Sequence, residues 1–256
     1  KLTKYNTNFI PIDSEHFSIW KLIKNEKKDN IDKIILTASG GPFLNKSKQK
    51  IANIKPSIAT KHPNWKMGKK ISIDSSTMMN KVFELIEATK IFNLSKKKFS
   101  ILVHTNSYIH AIVFFKGDLI KLLAHETDMK IPISNALGIK NSNKTNVIKR
   151  NLHKLNDLNF KLPKKKNFPV ISILDMLPDK TSFFETILIT INDALVEMYL
   201  NGKINYVSIQ SNILNLLKKP YLKKFYKLKP KSIYDIKKMN LITKKYLYDN
   251  YKFYKK

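Results

Sequence analysis

Short apolar runs closed by polar clusters fill the first half of the chain, and longer segments with three- and four-residue apolar spacing fill the second. The run NFIPIDSEH at 8–16 predicts a short strand passing into polar residues, and KIILTASGGPF at 33–43 predicts another, stopped by Gly40, Gly41 and Pro42. From Asn45 to Lys70 the pattern is polar and proline-punctuated, which predicts an exposed loop or lid, and KISID at 70–74 then alternates like a further brief strand. SSTMMNKVFELIEATKIFNL at 75–94 places Met78, Val82, Leu85, Ile86 and Phe92 on helical spacing behind a Ser/Thr cap region. FSILVH at 99–104 reads as a strand, and SYIHAIVFF, KGD and LIKLLAHE at 107–126 read as a β-hairpin turning at Gly117.

Periodicity fades between Gly138 and Phe168 amid Asn, Lys and Ser, ending in KLPKKKNFP. Beyond it, TSFFETILITINDALVEMYLNG at 181–202 and the segments to Lys256 read as helices, with a stop at Gly202 and a break at Pro220. The expected class is α+β: a mixed-sheet catalytic domain with hairpin and helices over 1–138, a linker over 139–170, and a helical C-terminal domain over 171–256.

Composition narrows the chemistry. With 43% hydrophobic residues in 256 the chain can bury a core, and no run of about 18 uncharged apolar residues exists to cross a membrane. Absence of cysteine excludes disulfides, Cys-zinc sites and thiol nucleophiles. Forty-eight basic against nineteen acidic residues give a net charge of +29, which suits a polyanion or a phosphorylated substrate. The excess is mostly lysine spread along the chain beside abundant Asn and Ile, which coding bias towards AT produces without any partner. The stretch LLKKPYLKKFYKLKPK at 216–231 interleaves aromatics with lysines, but arginines for base reading are few, so nucleic acid is the weaker reading. Lys1 opens the chain with no leader pattern before the first apolar run, so the chain is expected to begin inside a longer protein.

Asp13 and Glu15 stand two apart where the first run turns polar, and strand geometry would send both carboxylates to one side, a hard-oxygen pair suited to Mg²⁺ or Mn²⁺. The plain alternative is a solvated acidic loop. Asn80, Lys81 and Glu84 project from neighbouring positions of one helix, and Ser75 at its expected start would face an anion with the helix amides. Alternatively, Ser75 only caps and Lys81 pairs with Glu84 on the surface. Ser39 with Gly40 and Gly41 could admit an anion without matching any phosphate-loop pattern. His62, Trp65 and Met67 fall in the polar segment, as a ligand cover or as a loop anchored by its tryptophan. His110 lies in an alternating strand, and His16, His104 and His125 form no zinc spacing.

Taken together, PIDSEH at 11–16, LTASGGPF at 36–43, KHPNWKMGKKISIDSSTMMNK at 61–81 with Glu84, and DMKIPI at 128–133 resemble the 1-deoxy-D-xylulose 5-phosphate reductoisomerase family. The likeness is ordered and dense over 11–137 and thins beyond Phe168. Val82 stands where the family has glycine, Thr105 where it has proline, the Trp-Pro expected soon after DMKIPI is missing, and LITINDA at 188–194 stands where the family tends to Leu-Asn-Ala-Ala-Asn-Glu.

The resemblance implies an NADPH- and divalent-metal-dependent oxidoreductase. It would isomerise and reduce 1-deoxy-D-xylulose 5-phosphate to 2-C-methyl-D-erythritol 4-phosphate, for non-mevalonate isoprenoid synthesis. Asp13, Glu15 and Glu84 would hold Mn²⁺ or Mg²⁺, with Glu15, Glu84 and His110 catalytic. Ser14, Glu15, Ser39, His62, Trp65, Met67, Ser75, Asn80, Lys81 and Glu84 would contact the phosphorylated sugar. Gly68 matches a cofactor-contacting position, while the family's N-terminal dinucleotide-binding domain is not among the matched segments. A homodimer is implied, in bacterial cytoplasm or a plastid. Two competing classes are a decayed, phosphate-binding relative and a basic nucleic-acid-binding module.

Overall fold

The computed structural model describes residues 5, 7–62, 65, 67–139 and 147–250. In chain order the helices and strands are α1 (Ser14–Leu22), β1 (Ile31–Ala38), α2 (Lys48–Ile51), α3 (Pro56–Ala59), α4 (Lys69–Ser76), α5 (Met79–Ile91), β2 (Phe99–Val103), β3 (Ile109–Phe115), β4 (Ile120–Ala124), α6 (Lys130–Ala136), α7 (Val147–Asn156), α8 (Ile173–Met176), α9 (Phe183–Leu200), α10 (Tyr206–Leu217), α11 (Pro220–Lys223) and α12 (Ile233–Asp249). They form two compact units, one of Lys1–Gly40 with Phe83–Pro163 and one of Gly41–Val82 with Lys164–Lys256.

The first unit is built on a four-stranded mixed sheet in the order β2-β1-β3-β4, with β1 parallel to β2 and antiparallel to β3. Central β1 and β3 are buried almost without interruption, so their apolar runs are continuous, whereas edge strand β2 alternates with Phe99, Ile101 and Val103 inward. Ile35, Tyr108, Ile109 and Ile112 form a core patch, covered by Leu102, Phe114, Leu158 and Phe160. Helix α1 packs on β3 and β4.

In the second unit α9 is apolar on nearly every side, Phe184, Ile187, Leu188, Ile191, Ala194 and Leu195 all being buried, as befits a central helix. A capping box of Ser182 and Glu185 starts it, and α10 and α12 pack along it. Side chains far apart in sequence tie 41–82 to this bundle. Tyr199 donates to the Ile54 carbonyl (2.7 Å), Tyr206 to Ser76 Oγ (2.9 Å), and Asn167 to the Leu44 carbonyl (3.2 Å).

The α+β class with trailing helices is the observed one, and the strand at 31–38, the hairpin at Gly117 and the helices stopped at Gly202 and broken at Pro220 are in place. Three elements differ. Residues 7–12 form no strand, because Pro11 offers no amide and Asp13 instead caps α1. KISID lies inside α4, whose hydroxyls turn back on the helix: Ser72 to Gly68 O (3.0 Å), Ser76 and Thr77 to Ile73 O (2.8 and 3.0 Å). The polar stretch from Asn45 contains α2 and α3, with Ile51 and Ala59 buried.

Within the segment expected as a linker, α7 forms and Lys161 bridges to Val103, while residues 140–146 lie outside the described ones, as do 251–256 at the C-terminal end. Val82 is fully buried in α5. No helix among the described residues is long and apolar enough to cross a membrane.

Candidate metal and substrate site

Helix α1 begins by presenting carboxylates. Asp13 is its N-cap, with Oδ1 accepting from the amides of Glu15 and His16 (both 3.2 Å), and Ser14 donates its hydroxyl to Glu15 Oε2. The two acids therefore converge through a helix start, not through the strand alternation expected from spacing. Glu84, 4% exposed, comes from the second turn of α5. Ligand oxygens of Asp13, Glu15 and Glu84 lie within 4.8 Å of one another.

Three anions this close, one of them buried, repel unless a cation sits among them. An octahedral Mg²⁺ with oxygens at about 2.1 Å spaces its ligands by about 3 Å side by side and about 4.2 Å across. The cluster needs only a small closure to meet those spacings, and an all-oxygen donor set of this charge suits Mg²⁺ or Mn²⁺ over softer metals.

His16, 2% exposed, fastens this cluster. Its Nε2–H donates to the Glu84 carbonyl (2.8 Å), while Nδ1 lies 3.4 Å from Asp13 Oδ1 and 3.9 Å from Glu87 Oε2. Burial pushes the Glu87 carboxyl above the usual range, with His16 pulling the other way and Asp13 adding to the rise. Sequence spacing had assigned His16 nothing, since its partner is a main-chain oxygen 68 positions away.

His110 is buried in β3, its Nε2–H donating to the His125 carbonyl (3.1 Å) and its ring stacked on His125 at 3.8 Å. Burial holds His125 below the usual imidazole range, against a hydrogen bond to the Glu126 carbonyl (2.7 Å) and the charge of Glu15. That bond makes Nδ1 the protonated nitrogen of His125, and its buried Nε2 has no hydrogen-bond partner. His125 had no role in the sequence reading either. Ser39 lies half-buried just past β1.

In the second unit Ser75 occupies the last turn of α4, where its carbonyl accepts from the Met78 amide (3.1 Å). It is therefore not at a helix start, as the spacing suggested. Thr77 and Met78 break the run into two helices, Met78 taking a left-handed φ of 68°. Asn80 and Lys81 belong instead to the first turn of α5, where the Met79 amide meets Thr77 Oγ1 (3.4 Å) and the Val82 amide the Met78 carbonyl (3.3 Å), and Lys81 is 5% exposed and no surface residue.

Gly41, at φ 65°, runs against the last turn of α4, and a Cβ there would stand 2.8 Å from Ser76 Cα. His62 Nδ1 accepts from the Trp65 amide (3.0 Å), and burial holds this histidine below its usual range. Trp65 and Met67 are half-buried. Gly68 precedes α4 at φ −63° with nothing within 4 Å of an added Cβ, so its surroundings do not demand glycine.

Residues 9–92 match the family described as the 1-deoxy-D-xylulose 5-phosphate reductoisomerase C-terminal domain, and residues 125–246 match the DXP reductoisomerase C-terminal domain. The 1-deoxy-D-xylulose 5-phosphate reductoisomerase of Pelagibacter ubique is 50% identical over 239 residues, covering 93% of this chain and 62% of that protein. The enzyme of the same name from Clostridium botulinum is 34% identical, covering 98% and 64%.

Among solved structures, the reductoisomerase of Zymomonas mobilis in complex with NADPH superposes with a TM-score of 0.81 at 29% identity, over 94% of this chain and 61% of that one. A DOX-P reductoisomerase in complex with NADPH, fosmidomycin and magnesium gives 0.85 at 29%, over 98% and 65%. The chain thus spans 62% and 64% of the length of these two curated relatives.

Proposed function

The chain carries the catalytic and C-terminal domains of the 1-deoxy-D-xylulose 5-phosphate reductoisomerase family, and from that premise we propose that it holds the divalent metal and the phosphorylated sugar while 1-deoxy-D-xylulose 5-phosphate is isomerised and reduced with NADPH to 2-C-methyl-D-erythritol 4-phosphate. The observation that carries this reading is the convergence of Asp13, Glu15 and Glu84 within 4.8 Å. When bound, Mg²⁺ or Mn²⁺ supplies Lewis-acid polarisation of substrate oxygens.

The chain's own residues do the rest of the positioning. Ser14, its hydroxyl already turned to Glu15, and Glu15 itself contact the sugar backbone. Ser39, Ser75, Asn80 and Lys81 take its polar groups and phosphate, the buried Lys81 side chain adding a cation beside the phosphate. His110, its Nε2–H committed to the His125 carbonyl, is fixed in one tautomer beside the substrate. His62, Trp65 and Met67 cover the bound sugar and exclude water. NADPH is the reductant of this reading, supported by relatives described with it, and Gly68 is the one position of this chain assigned to it.

The protein acts as a homodimer. Support comes from edge strand β4, where Ile120 and Leu122, with Leu119 just before, expose 52%, 44% and 53% of their surfaces, a row that a second copy would cover. Bacterial relatives favour a cytoplasmic location.

The direct test is NADPH oxidation by the protein at its full natural length with 1-deoxy-D-xylulose 5-phosphate and Mn²⁺, against a metal-free control. Metal-dependent turnover is the expected result. Folded protein that binds Mn²⁺ and substrate without turnover would point instead to the decayed relative.

A further inference from the structure

One charged cluster of the second unit has no part in the site described above. Asp74, 1% exposed, precedes Ser75 in α4. Its carboxylate takes Lys70 Nζ at 2.8 Å, one turn back, and the Nδ2–H of fully buried Asn192 at 2.8 Å from α9. Lys70 in turn reaches Asp193, also on α9, at 2.9 Å. A carboxylate this deep is tolerated only while paired and hydrogen-bonded, so α4 cannot slide or rotate on α9 without leaving it exposed to an apolar surrounding. Where α4 ends, the chain passes through Met78, buried and left-handed at φ 68°, before α5 presents Asn80 and Lys81. A strained turn keeps its angle only where the elements on either side are held.

We propose that Lys70, Asp74, Asn192 and Asp193 form a clamp fixing α4 on α9, so that Ser75, Asn80 and Lys81 stand ready for the substrate phosphate. Asn192 and Asp193 are then positioning residues for phosphate recognition, acting through α4 without touching substrate. The inference rests on the phosphate role given above to Ser75, Asn80 and Lys81.

The test combines steady-state kinetics, Mn²⁺ binding and hydrogen exchange of the amides at 69–82. Asn192→Leu strips the buried carboxylate of its amide donor and should raise KM for the phosphorylated sugar about tenfold with kcat nearly unchanged. Asp193→Ala, a half-exposed change that leaves the core intact, should raise it by about threefold. Both should speed exchange at 69–82 selectively and leave Mn²⁺ affinity as it was, and Asp193→Glu should restore KM and exchange. Unchanged KM and unchanged exchange at 69–82 in both variants would overturn the clamp. So would a uniform rise in exchange across the second unit, which would make the cluster merely structural. If the unaltered protein neither binds nor turns over the sugar, the functional reading fails, while the exchange pattern still decides whether α4 is clamped.

Discussion

At the scale of single residues, the proposed metal site rests on three carboxylates and one imidazole. Glu84→Gln removes one of the three proposed anionic ligands, and Mn²⁺ affinity measured by calorimetry should fall by more than about a hundredfold, with the sheet intact by circular dichroism. His16→Ala releases the Glu84 carbonyl and the Asp13 carboxylate without removing a ligand, so the same titration should show a loss of about tenfold. Asp13 and Glu15 were legible in sequence as a pair of oxygen donors, yet for a reason the molecule does not use: an N-cap followed by a first-turn acid brings them together where strand alternation was expected. Glu84 was legible from its helix. His16 was not, because a histidine bonded to a distant main-chain carbonyl leaves no mark in spacing.

At the scale of elements, the junction between α4 and α5 is the part that sequence read least well. Five alternating residues in KISID fit either period, and the segment lies in a helix that buries Ser72, Ile73, Asp74 and Ser76 together, with the hydroxyls of Ser72, Ser76 and Thr77 satisfied on its own carbonyls. A methionine in the left-handed region carries no such signal in its residue type, so Ser75 was placed one helix too late. The same junction sets a tight backbone limit at Gly41. Gly41→Ala adds a Cβ 2.8 Å from Ser76 Cα at a φ of 65°, and should destabilise the protein by about 2 kcal/mol or more in urea unfolding. Its effect should extend to substrate affinity, since the displaced backbone is that of residues 75 and 76.

At the scale of the whole molecule, fold class was legible because strands, hairpin and helices are written in local periodicity. How 41–82 joins 164–256 was not, since that union depends on pairings such as Tyr206 with Ser76 and Tyr199 with the Ile54 carbonyl, more than a hundred positions apart. Those pairings give the molecule an alkaline limit. Burial pushes the Tyr199 phenol up to about 12 and raises Tyr206 and Tyr226 as well. A phenol whose folded value is raised contributes stability that is complete below its ordinary value of 10.0 and is lost as pH climbs through about 12. Unfolding by circular dichroism should therefore coincide with the late part of the tyrosinate absorbance titration. Titration of all tyrosines near their ordinary value, with the fold intact, would contradict that burial.

The measurement closest to the central claim is anomalous diffraction from crystals of the protein grown or soaked with Mn²⁺. The account predicts one strong peak at about 2.0–2.2 Å from carboxylate oxygens of Asp13, Glu15 and Glu84, absent in Glu84→Gln crystals. A peak elsewhere, or none at the three carboxylates with manganese present in excess, would contradict it.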